Sequence, residues 1–297
     1  MKTKNTRPSR PLLRYFGGKY RLAGWILSHL PSHTTYVEPF LGAGSVFFAK
    51  SRAPREVLND LDDEIVNLFR VLRDRSMAED LRFALQHTPY ARSEWRLAGE
   101  LPDISLEPVE RARRALMRSF MGFGADAFHL GTGTGFRGDS KRTSTIPAHD
   151  WANWPQYITT FCERLSGVII ENTDALKLMP AHDGPETLFY VDPPYVHSTR
   201  GGVRNSTQRP RHQYRHEMDD AAHVQLAETL QSLKGMVVLS GHPSSLYEEL
   251  YPNWYRIERS HLIESAAKRV EALWLNPAAQ ARLEQTDEPA SQLFNVA

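Results

Sequence analysis

The chain has 297 residues, of which 41% are hydrophobic and 24% charged, and its formal net charge is +1 at pH 7. These values are typical of a folded globular protein and exclude a disordered or fibrous chain. Apolar stretches are broken well before the roughly 20 residues that a membrane-spanning helix needs, and the basic N-terminus lacks the apolar core of a signal peptide. The single cysteine, Cys162, excludes an internal disulfide and a cysteine-based zinc cluster. We therefore expect a cytoplasmic protein that has no membrane segment and binds no metal.

The predicted elements alternate between strands and helices along the chain. Strands are predicted at 35–39, 56–60, 167–171, 188–192, 236–240 and 269–275, and helices at 45–50, 62–73, 107–120 and 218–233. This alternation predicts an α/β fold with a largely parallel sheet. Residues 122–147 are rich in glycine and too long for an ordinary connection, so we expect a functional loop there. Residues 278–297 are predicted to form a short helix and a loose tail.

Basic residues are concentrated in two segments. Residues 111–142 contain seven Lys and Arg against two acids, and residues 199–216 contain five Arg and no acid. Each segment therefore carries a formal charge of +5, and the rest of the chain is acidic. Basic segments on an acidic body fit a polyanionic partner such as nucleic acid. The alternative is that they form solvated loops whose arginines pair with acids elsewhere in the protein.

The first motif, Phe40-Leu41-Gly42-Ala43-Gly44, directly follows the first predicted strand. Glycines at this position let the backbone turn tightly and approach a ligand. Asp60 ends the next strand 18 residues after Gly42, near the spacing at which such folds bind ribose hydroxyls. Phe47 replaces the third glycine of a dinucleotide motif, which favours a nucleoside cofactor without a pyrophosphate. An ordinary strand-to-helix turn is the alternative.

The second motif, Asp192-Pro193-Pro194-Tyr195, follows the apolar strand at 188–192. Ligands of open α/β sheets bind at the carboxyl ends of strands. Two consecutive prolines remove two amide donors and stiffen the backbone. A carboxylate and a carbonyl acceptor beside an aromatic ring suit a planar ring that carries an exocyclic amine. The alternative is a turn with a capping aspartate.

The two motifs in this order resemble the S-adenosylmethionine-dependent DNA N6-adenine methyltransferases, and among them the DNA adenine methylase (Dam) family. Residues 14–19 (RYFGGK) and the pair Asn59-Asp60 are similar to two further segments of that family. The resemblance implies a Rossmann-like methyltransferase sheet with helices on both faces, plus an inserted, mainly helical target-recognition domain. Its implied bounds are 11–75 and 165–277 for the catalytic domain, 76–164 for the insertion, and 1–10 and 278–297 for flexible termini.

The resemblance also implies the ligands and the residues that hold them. The cofactor is S-adenosylmethionine, and its implied contacts are Tyr15, Lys19, Glu38, Phe40, Gly42, Gly44, Asp60, Asp174 and Asp192. Among these, Asp60 is expected to bind the ribose and Lys19 the methionyl carboxylate. The implied catalytic residues are Asp192, Pro193, Pro194 and Tyr195. Asp192 and the Pro193 carbonyl accept the amine hydrogens of a flipped-out adenine, on which Tyr195 stacks.

Double-stranded DNA is the implied partner. The residues expected to contact it are Arg118, Arg137, Lys141, Arg142, Arg200, Arg204, Arg209 and Arg211. Residues 120–125 (FMGFGA) keep the aromatics and glycines of the family's recognition segment but lose its asparagine, so the family's target sequence is not transferred to this chain. We expect a monomer or a weak dimer, encoded by a bacterium or phage, and the resemblance allows a cognate restriction enzyme as a further partner.

Two other functions remain open at the level of the sequence. One is methyl transfer to an amine of RNA or of a protein side chain, and the other is DNA binding by a chain whose catalytic site has decayed. Protein glutamine methylases tend to carry Asn in place of Asp192, which disfavours a protein substrate but leaves RNA open. The intact 192–195 motif, both loop glycines and Asp60 argue against decay.

Overall fold

The computed structural model describes residues 8–99, 105–138, 146–199, 215–262 and 268–287. The strands of this part of the chain are β1 Thr35–Glu38, β2 Arg55–Asn59, β3 Ile169–Glu171, β4 Thr187–Val191, β5 Met236–Gly241, β6 Tyr255–Leu262 and β7 Lys268–Leu275. They form one seven-stranded sheet with the order β3-β2-β1-β4-β5-β7-β6. The first five strands in this order pair in parallel, and β7 is antiparallel to both β5 and β6.

Helices connect the strands and form the insertion between β2 and β3. They are α1 Ala23–Leu27, α2 Ser45–Ala49, α3 Asp63–Arg73, α4 Arg75–Gln86, α5 Arg92–Gly99, α6 Pro108–Met121, α7 Ala127–Leu130, α8 Pro147–Asn153, α9 Ile158–Leu165, α10 Ala175–Ala181, α11 Asp220–Ser232, α12 Ser245–Leu250 and α13 Pro277–Asp287. All predicted strands and helices are present with small shifts at their ends, which confirms the α/β fold class. No helix in the described residues is long and apolar enough to cross a membrane.

The sheet is covered on both faces because its central strands are apolar on both sides. Alternate residues of β4 belong to different cores: Leu188 and Tyr190 belong to the core that also contains α1, α2, α3 and the insertion, whereas Phe189 and Val191 belong to the core with α10, α11 and α12. Such near-continuous apolar strands are typical of parallel sheets buried between two layers of helices.

The functional edge of the sheet is set by its topology. Strands β1 and β4 are neighbours, with Thr35 opposite Thr187. After β1 the chain continues to β2 on one side of this pair, and after β4 it continues to β5 on the other side. Ligands of open α/β sheets bind in the crevice at such a switch point, outside the carboxyl ends of the strands. Here the ends that meet are Glu38 and the residues that follow Val191.

The insertion packs on the sheet through the same core as α2 and α3. Phe161 of α9 contacts Phe48 of α2 with ring centroids 4.9 Å apart, and α6 packs against α3, α4 and α5. The expectation of an irregular loop over 122–147 is only partly correct, because α7 and a 3₁₀ turn at Gly131–Thr134 lie within it.

The short helix predicted near the C-terminus is confirmed as α13 Pro277–Asp287. Ala279 of α13 is fully buried, and α13 packs against β5 and β7, so the flexibility that the resemblance implies is wrong for residues 278–287. Near the other end, Arg10 donates a hydrogen bond of 2.8 Å to Asp150. Residues 1–7 and 288–297 lie outside the described residues.

Candidate active site

A cavity of about 290 Å³ lies at the carboxyl ends of β1 and β4. This is close to the lower end of the range for small-molecule sites, about 300–1,000 Å³. Its described lining includes most of the residues predicted to bind a cofactor, namely Tyr15, Lys19, Glu38, Phe40, Gly42, Asp60, Asp174 and Asp192. The two sequence motifs, 150 residues apart in the chain, therefore face one cavity.

The glycine loop is held in place by Asp60. The amide of Gly42 donates to Asp60 Oδ2 at 2.8 Å, and the amide of Asp62 donates to Oδ1 at 2.9 Å. Gly42 has φ +49, and a Cβ there would lie 3.0 Å from the ring of Tyr15, so the loop needs glycine at this position. Burial raises the pKa of Asp60 to about 6, although both amide hydrogen bonds lower it.

Gly44 has a different role from the one predicted. Its φ is +62, and a Cβ there would lie 2.9 Å from Phe69 and 3.2 Å from Phe48. Gly44 is not among the described residues that line the cavity. This glycine allows the loop to pack against the core where helix α2 begins, and its predicted cofactor contact stays a prediction.

Glu38 is a buried carboxyl group at the end of β1. It is 2% exposed and accepts a hydrogen bond of 2.8 Å from the hydroxyl of Tyr36. Burial raises the pKa of Glu38 to about 8; the Tyr36 hydrogen bond opposes this change, and the neighbouring Asp192 adds to it. A group with this pKa is mostly protonated at pH 7, so Glu38 can act as a hydrogen-bond donor as well as an acceptor.

Asp192 is paired with Lys19. The Lys19 Nζ lies 2.9 Å from Asp192 Oδ1, and it also donates to the carbonyl of Gly17 at 2.9 Å. Burial raises the pKa of Asp192 to about 6, against the opposing effect of Lys19. The structure thus pairs the Lys19 ammonium with the predicted catalytic carboxylate, and its predicted contact with a cofactor carboxylate stays a prediction.

Tyr195 lies behind Asp192 and is 8% exposed. Its hydroxyl donates to Glu271 and lies 3.2 Å from Ser240 Oγ. Its ring centroid is 4.6 Å from Lys19 Nζ and 4.6 Å from the centroid of His242. Of the two prolines, Pro194 lines the cavity, and Pro193 is buried.

Glu271 and Ser240 are the site residues to which the sequence analysis gave no role. Glu271, on β7, is 3% exposed, and Ser240, on β5, is fully buried; the Ser240 hydroxyl donates to Glu271 Oε1 at 3.1 Å. The signal that could have found Glu271 is an acid inside the apolar strand RVEALWL, because a buried carboxylate needs partners.

Two further predicted contacts take part in local structure as well. Asp174 caps α10 by accepting a hydrogen bond of 2.8 Å from the amide of Leu176. Tyr15 contacts Phe128 and His129 of α7, with ring centroids 5.5 and 5.2 Å apart, so the insertion touches one wall of the cavity.

The expectation that Arg118 binds DNA is wrong. This side chain is 4% exposed, and its guanidinium donates to the carbonyls of Phe128 and Ala98 and to Glu64. Its donors are therefore directed into the protein.

The other arginines of α6 are paired as well. Arg111 pairs with Glu64, and both Arg113 and Arg114 pair with Glu110. For α6, the alternative of arginines that pair with acids elsewhere in the protein is the correct one.

The remaining residues predicted to contact DNA are described only in part. Arg137 is half-buried; its amide donates to Met121, and its carbonyl accepts from the hydroxyl of Tyr90. Phe123, in the same part of the insertion, is 64% exposed. The others lie outside the described residues: Lys141, Arg142, Arg200, Arg204, Arg209 and Arg211. Within the described part of the chain, no three His, Cys, Asp or Glu side chains are grouped as metal ligands would be.

Comparison with known proteins finds one matching family model. The model of the D12 class N6 adenine-specific DNA methyltransferases matches residues 15–98, which include Tyr15–Lys19, the glycine loop and Asp60. Over these residues the chain is similar to that class.

Individual relatives extend the similarity over most of the chain. A DNA adenine methylase from Salmonella typhi is 26% identical over 266 residues, which are 87% of this chain and 88% of the relative. The type II methyltransferase M1.LlaDCHI from Lactococcus lactis subsp. cremoris is 27% identical over 277 residues, 86% of this chain and 89% of the relative. A DNA adenine methylase from Haemophilus influenzae is 26% identical over 270 residues, 88% of this chain and 89% of the relative.

Proposed function

We propose that this protein transfers a methyl group from S-adenosylmethionine to the N6 amine of adenine in double-stranded DNA. The observation that carries the proposal is the position of Asp192, at the carboxyl end of β4 and in the same cavity as the glycine loop and Asp60. The similarity to the D12 class and to DNA adenine methylases supports an adenine in DNA as the substrate. The alternatives of an RNA or protein substrate, or of a decayed site, are not favoured.

The described residues of the cavity fit S-adenosylmethionine. This cofactor supplies an electrophilic methyl group on a positively charged sulfur. Asp60 and Asp192, each with a pKa of about 6, are mostly ionised at pH 7 and suit that charge, and Glu38, with a pKa of about 8, can donate a hydrogen bond to the cofactor. Tyr15 and Phe40 offer aromatic surfaces for the adenine ring of the cofactor. Asp60 would hold the ribose, because each of its oxygens keeps a second lone pair beside the amide that it accepts.

Asp192 would make the target amine nucleophilic. The lone pair of this amine is delocalised into the purine ring, so it is a weak nucleophile until its geometry changes. Asp192 and the Pro193 carbonyl would accept its two hydrogens and draw the nitrogen towards tetrahedral geometry, which is catalysis by positioning and electrostatics. Since the pKa of Asp192 is about 6, the carboxylate is mostly ionised at pH 7 and can accept these hydrogens.

The atoms and charges of the step balance. The nitrogen lone pair forms the new N–C bond, and the S–C bond breaks with its electron pair left on sulfur as a neutral thioether. The positive charge moves to the nitrogen, which then loses one proton to Asp192 and from there to water.

The target adenine must leave the duplex to reach Asp192. Flipping it out costs a few kcal/mol and is offset by contacts in the pocket.

For the bounds of the two domains, we propose those given by the resemblance: residues 76–164 recognise the target, and residues 11–75 and 165–277 carry out the reaction. One relative is a type II methyltransferase, so a cognate restriction enzyme stays a possible partner to be tested genetically.

The experiment is transfer of a labelled methyl group from S-adenosylmethionine to duplex DNA, RNA and protein in parallel. The proposal expects label in DNA alone. Preferential labelling of RNA or protein would support the rival enzyme, and the absence of label from all three would support a decayed site.

A further inference from the structure

Lys19 pairs with the carboxylate that the proposed mechanism assigns to the target amine. Its ammonium lies 2.9 Å from Asp192 Oδ1 and 4.6 Å from the centroid of the Tyr195 ring. An ammonium group is a nitrogen donor, as the amine of adenine is, and it forms an ion pair with this oxygen. The amine must therefore compete with Lys19 for the negative charge of Asp192 or displace it.

A cation at this position also opposes the reaction. Methyl transfer places positive charge on the amine nitrogen, and the carboxylate of Asp192 is the group that stabilises this charge. An ammonium within hydrogen-bond distance of the carboxylate would cancel much of that effect and repel the developing charge. The productive state thus requires Lys19 to leave Asp192 without being left as an uncompensated cation, because its side chain is only 6% exposed.

Glu271 is the acceptor next to Lys19. Its Oε1 lies 3.6 Å from Lys19 Nζ, so a displacement of the ammonium away from Asp192 and towards Glu271 keeps it paired with a carboxylate. Glu271 is held in place by donors from two other elements, the hydroxyls of Tyr195 and Ser240. Its second oxygen, Oε2, lies 3.8 Å from His242 Nδ1.

We propose that Glu271 is a positioning residue for methyl transfer, which receives the Lys19 ammonium when the target adenine enters and so frees Asp192 for the amine. In the unliganded enzyme, Lys19 stands in for that amine. This inference rests on the proposed function, because it requires the base to bind at Asp192. It differs from a purely structural role, in which Glu271 serves only to anchor Tyr195 and Ser240.

A rescue experiment separates these two roles. Glu271→Gln removes the charge that attracts Lys19 but keeps an oxygen acceptor, so Lys19 stays on Asp192. We expect kcat to fall at least about tenfold, with little change in KM for S-adenosylmethionine. Adding Lys19→Gln to this variant removes the competing ammonium. The double variant is therefore expected to be at least about threefold faster than Glu271→Gln alone, a coupling between neighbours that only a double-mutant cycle measures.

Two controls keep the result interpretable. Glu258→Gln removes the same charge from the neighbouring strand β6, where the side chain is 42% exposed and pairs with Arg256, and it should leave kcat unchanged. Glu271→Asp keeps the carboxylate on a shorter side chain and should retain more activity than Glu271→Gln. Thermal unfolding of each variant, with S-adenosylmethionine binding measured by calorimetry, shows that the compared proteins are folded.

A binding measurement reports the same exchange without methyl transfer. The probes are duplexes that carry, at a target site mapped with the wild-type enzyme, either adenine or purine, which lacks the exocyclic amine. Fluorescence anisotropy without cofactor should show a preference of the wild-type protein for adenine. Glu271→Gln should lose this preference, and the Lys19→Gln/Glu271→Gln double variant should regain it.

The inference is overturned if Glu271→Gln has the wild-type kcat, or if the double variant is no faster than Glu271→Gln and shows no preference for adenine. The second outcome assigns Glu271 a structural role only. A wild-type enzyme that methylates no DNA overturns the proposed function instead, and this inference with it, so the two failures are distinguishable.

Discussion

The carboxyl edge of the sheet, which we call the acidic edge, and helix α6 of the insertion differ in how their charged side chains are placed. At the edge of the sheet, acidic side chains face the cavity, and burial raises the pKa of Glu38, Asp60 and Asp192. Along α6, by contrast, each of the four arginines pairs with an acid, either Glu64 or Glu110. Buried carboxyl groups with raised pKa values line the candidate active site, whereas Arg111 and Arg118 join α6 to Glu64 of α3, and Arg113 and Arg114 pair within α6.

The comparison also changes where a DNA-binding surface is to be sought. The first basic segment, residues 111–142, loses its α6 arginines to internal ion pairs. Arg137 and the exposed Phe123 remain in its described part. The second basic segment, which extends over 199–216, is then the stronger candidate for phosphate contacts. Arg215, at the end of this segment, pairs with Asp62 beside the cavity.

The largest effect is expected from Asp192→Asn at the acidic edge. The amide keeps the shape of the side chain but is a weaker acceptor for a nitrogen that gains positive charge. Methyl transfer measured in a single turnover should slow at least about 100-fold, while cofactor and DNA still bind. Asp80→Asn on the exposed side of α4 is the control and should have no effect. A wild-type rate for Asp192→Asn would contradict the proposed role of Asp192 as the acceptor for the target amine.

Arg118→Ala tests the opposite side of the comparison. The substitution leaves Glu64 buried with one fewer cation, so the free energy of unfolding in urea should fall by about 3 kcal/mol. Arg96→Ala, an exposed arginine of α5, should change it by less than about 0.5 kcal/mol. If Arg118→Ala weakened DNA binding and left the free energy of unfolding unchanged, α6 would be part of the DNA-binding surface, which would contradict the ion-pair role.

The raised pKa of Glu38 should make the free energy of unfolding depend on pH. Its pKa in the folded protein is about 8, above its ordinary 4.5, so the folded state retains a proton that the unfolded state has lost. Between about pH 6 and 8, stability should therefore fall with rising pH, by up to roughly 1.4 kcal/mol per pH unit. Glu38→Gln removes this contribution, and its stability relative to wild type should increase with pH in urea titrations. A difference that is constant over this range would show that Glu38 is ionised throughout.

The smallest effect is expected from the second basic segment, at Arg209 and Arg211, which lie outside the described residues. Replacing both with alanine should reduce the slope of log K for DNA binding against log salt by about 2. The matched control replaces Arg256 of β6 and Arg282 of α13, which pair with Glu248 and Glu186. An unchanged slope for the first pair would place the phosphate contacts elsewhere.

Most of the fold could be predicted because it depends on local patterns. Apolar runs predicted the central strands, and the amphipathic stretch at 62–73 predicted α3. Strand β6 was not predicted, because the sequence YRIERSHL is mostly polar and becomes a strand only by pairing with β7. The glycine loop could be predicted because the backbone has φ +49 at Gly42, a conformation that favours glycine. Asp60 could then be predicted from its spacing to these glycines.

The partners within the site could not be predicted in this way. Lys19 meets Asp192 and Glu271 across distances of more than 170 residues in the chain, and no local pattern encodes such contacts. The error at Arg118 has a related cause, because a count of basic residues cannot show that Glu64 neutralises two of them. The residue types and their order in the sequence were enough to predict where the site is. Which charged side chains pair with each other is determined by tertiary packing and could not be predicted.

The account rests most directly on which atom receives the methyl group. DNA incubated with the protein and isotopically labelled S-adenosylmethionine can be digested to nucleosides and analysed by mass spectrometry. The account predicts that the label appears in N6-methyldeoxyadenosine. Label in a methylated cytosine, or in no nucleoside at all, would contradict it.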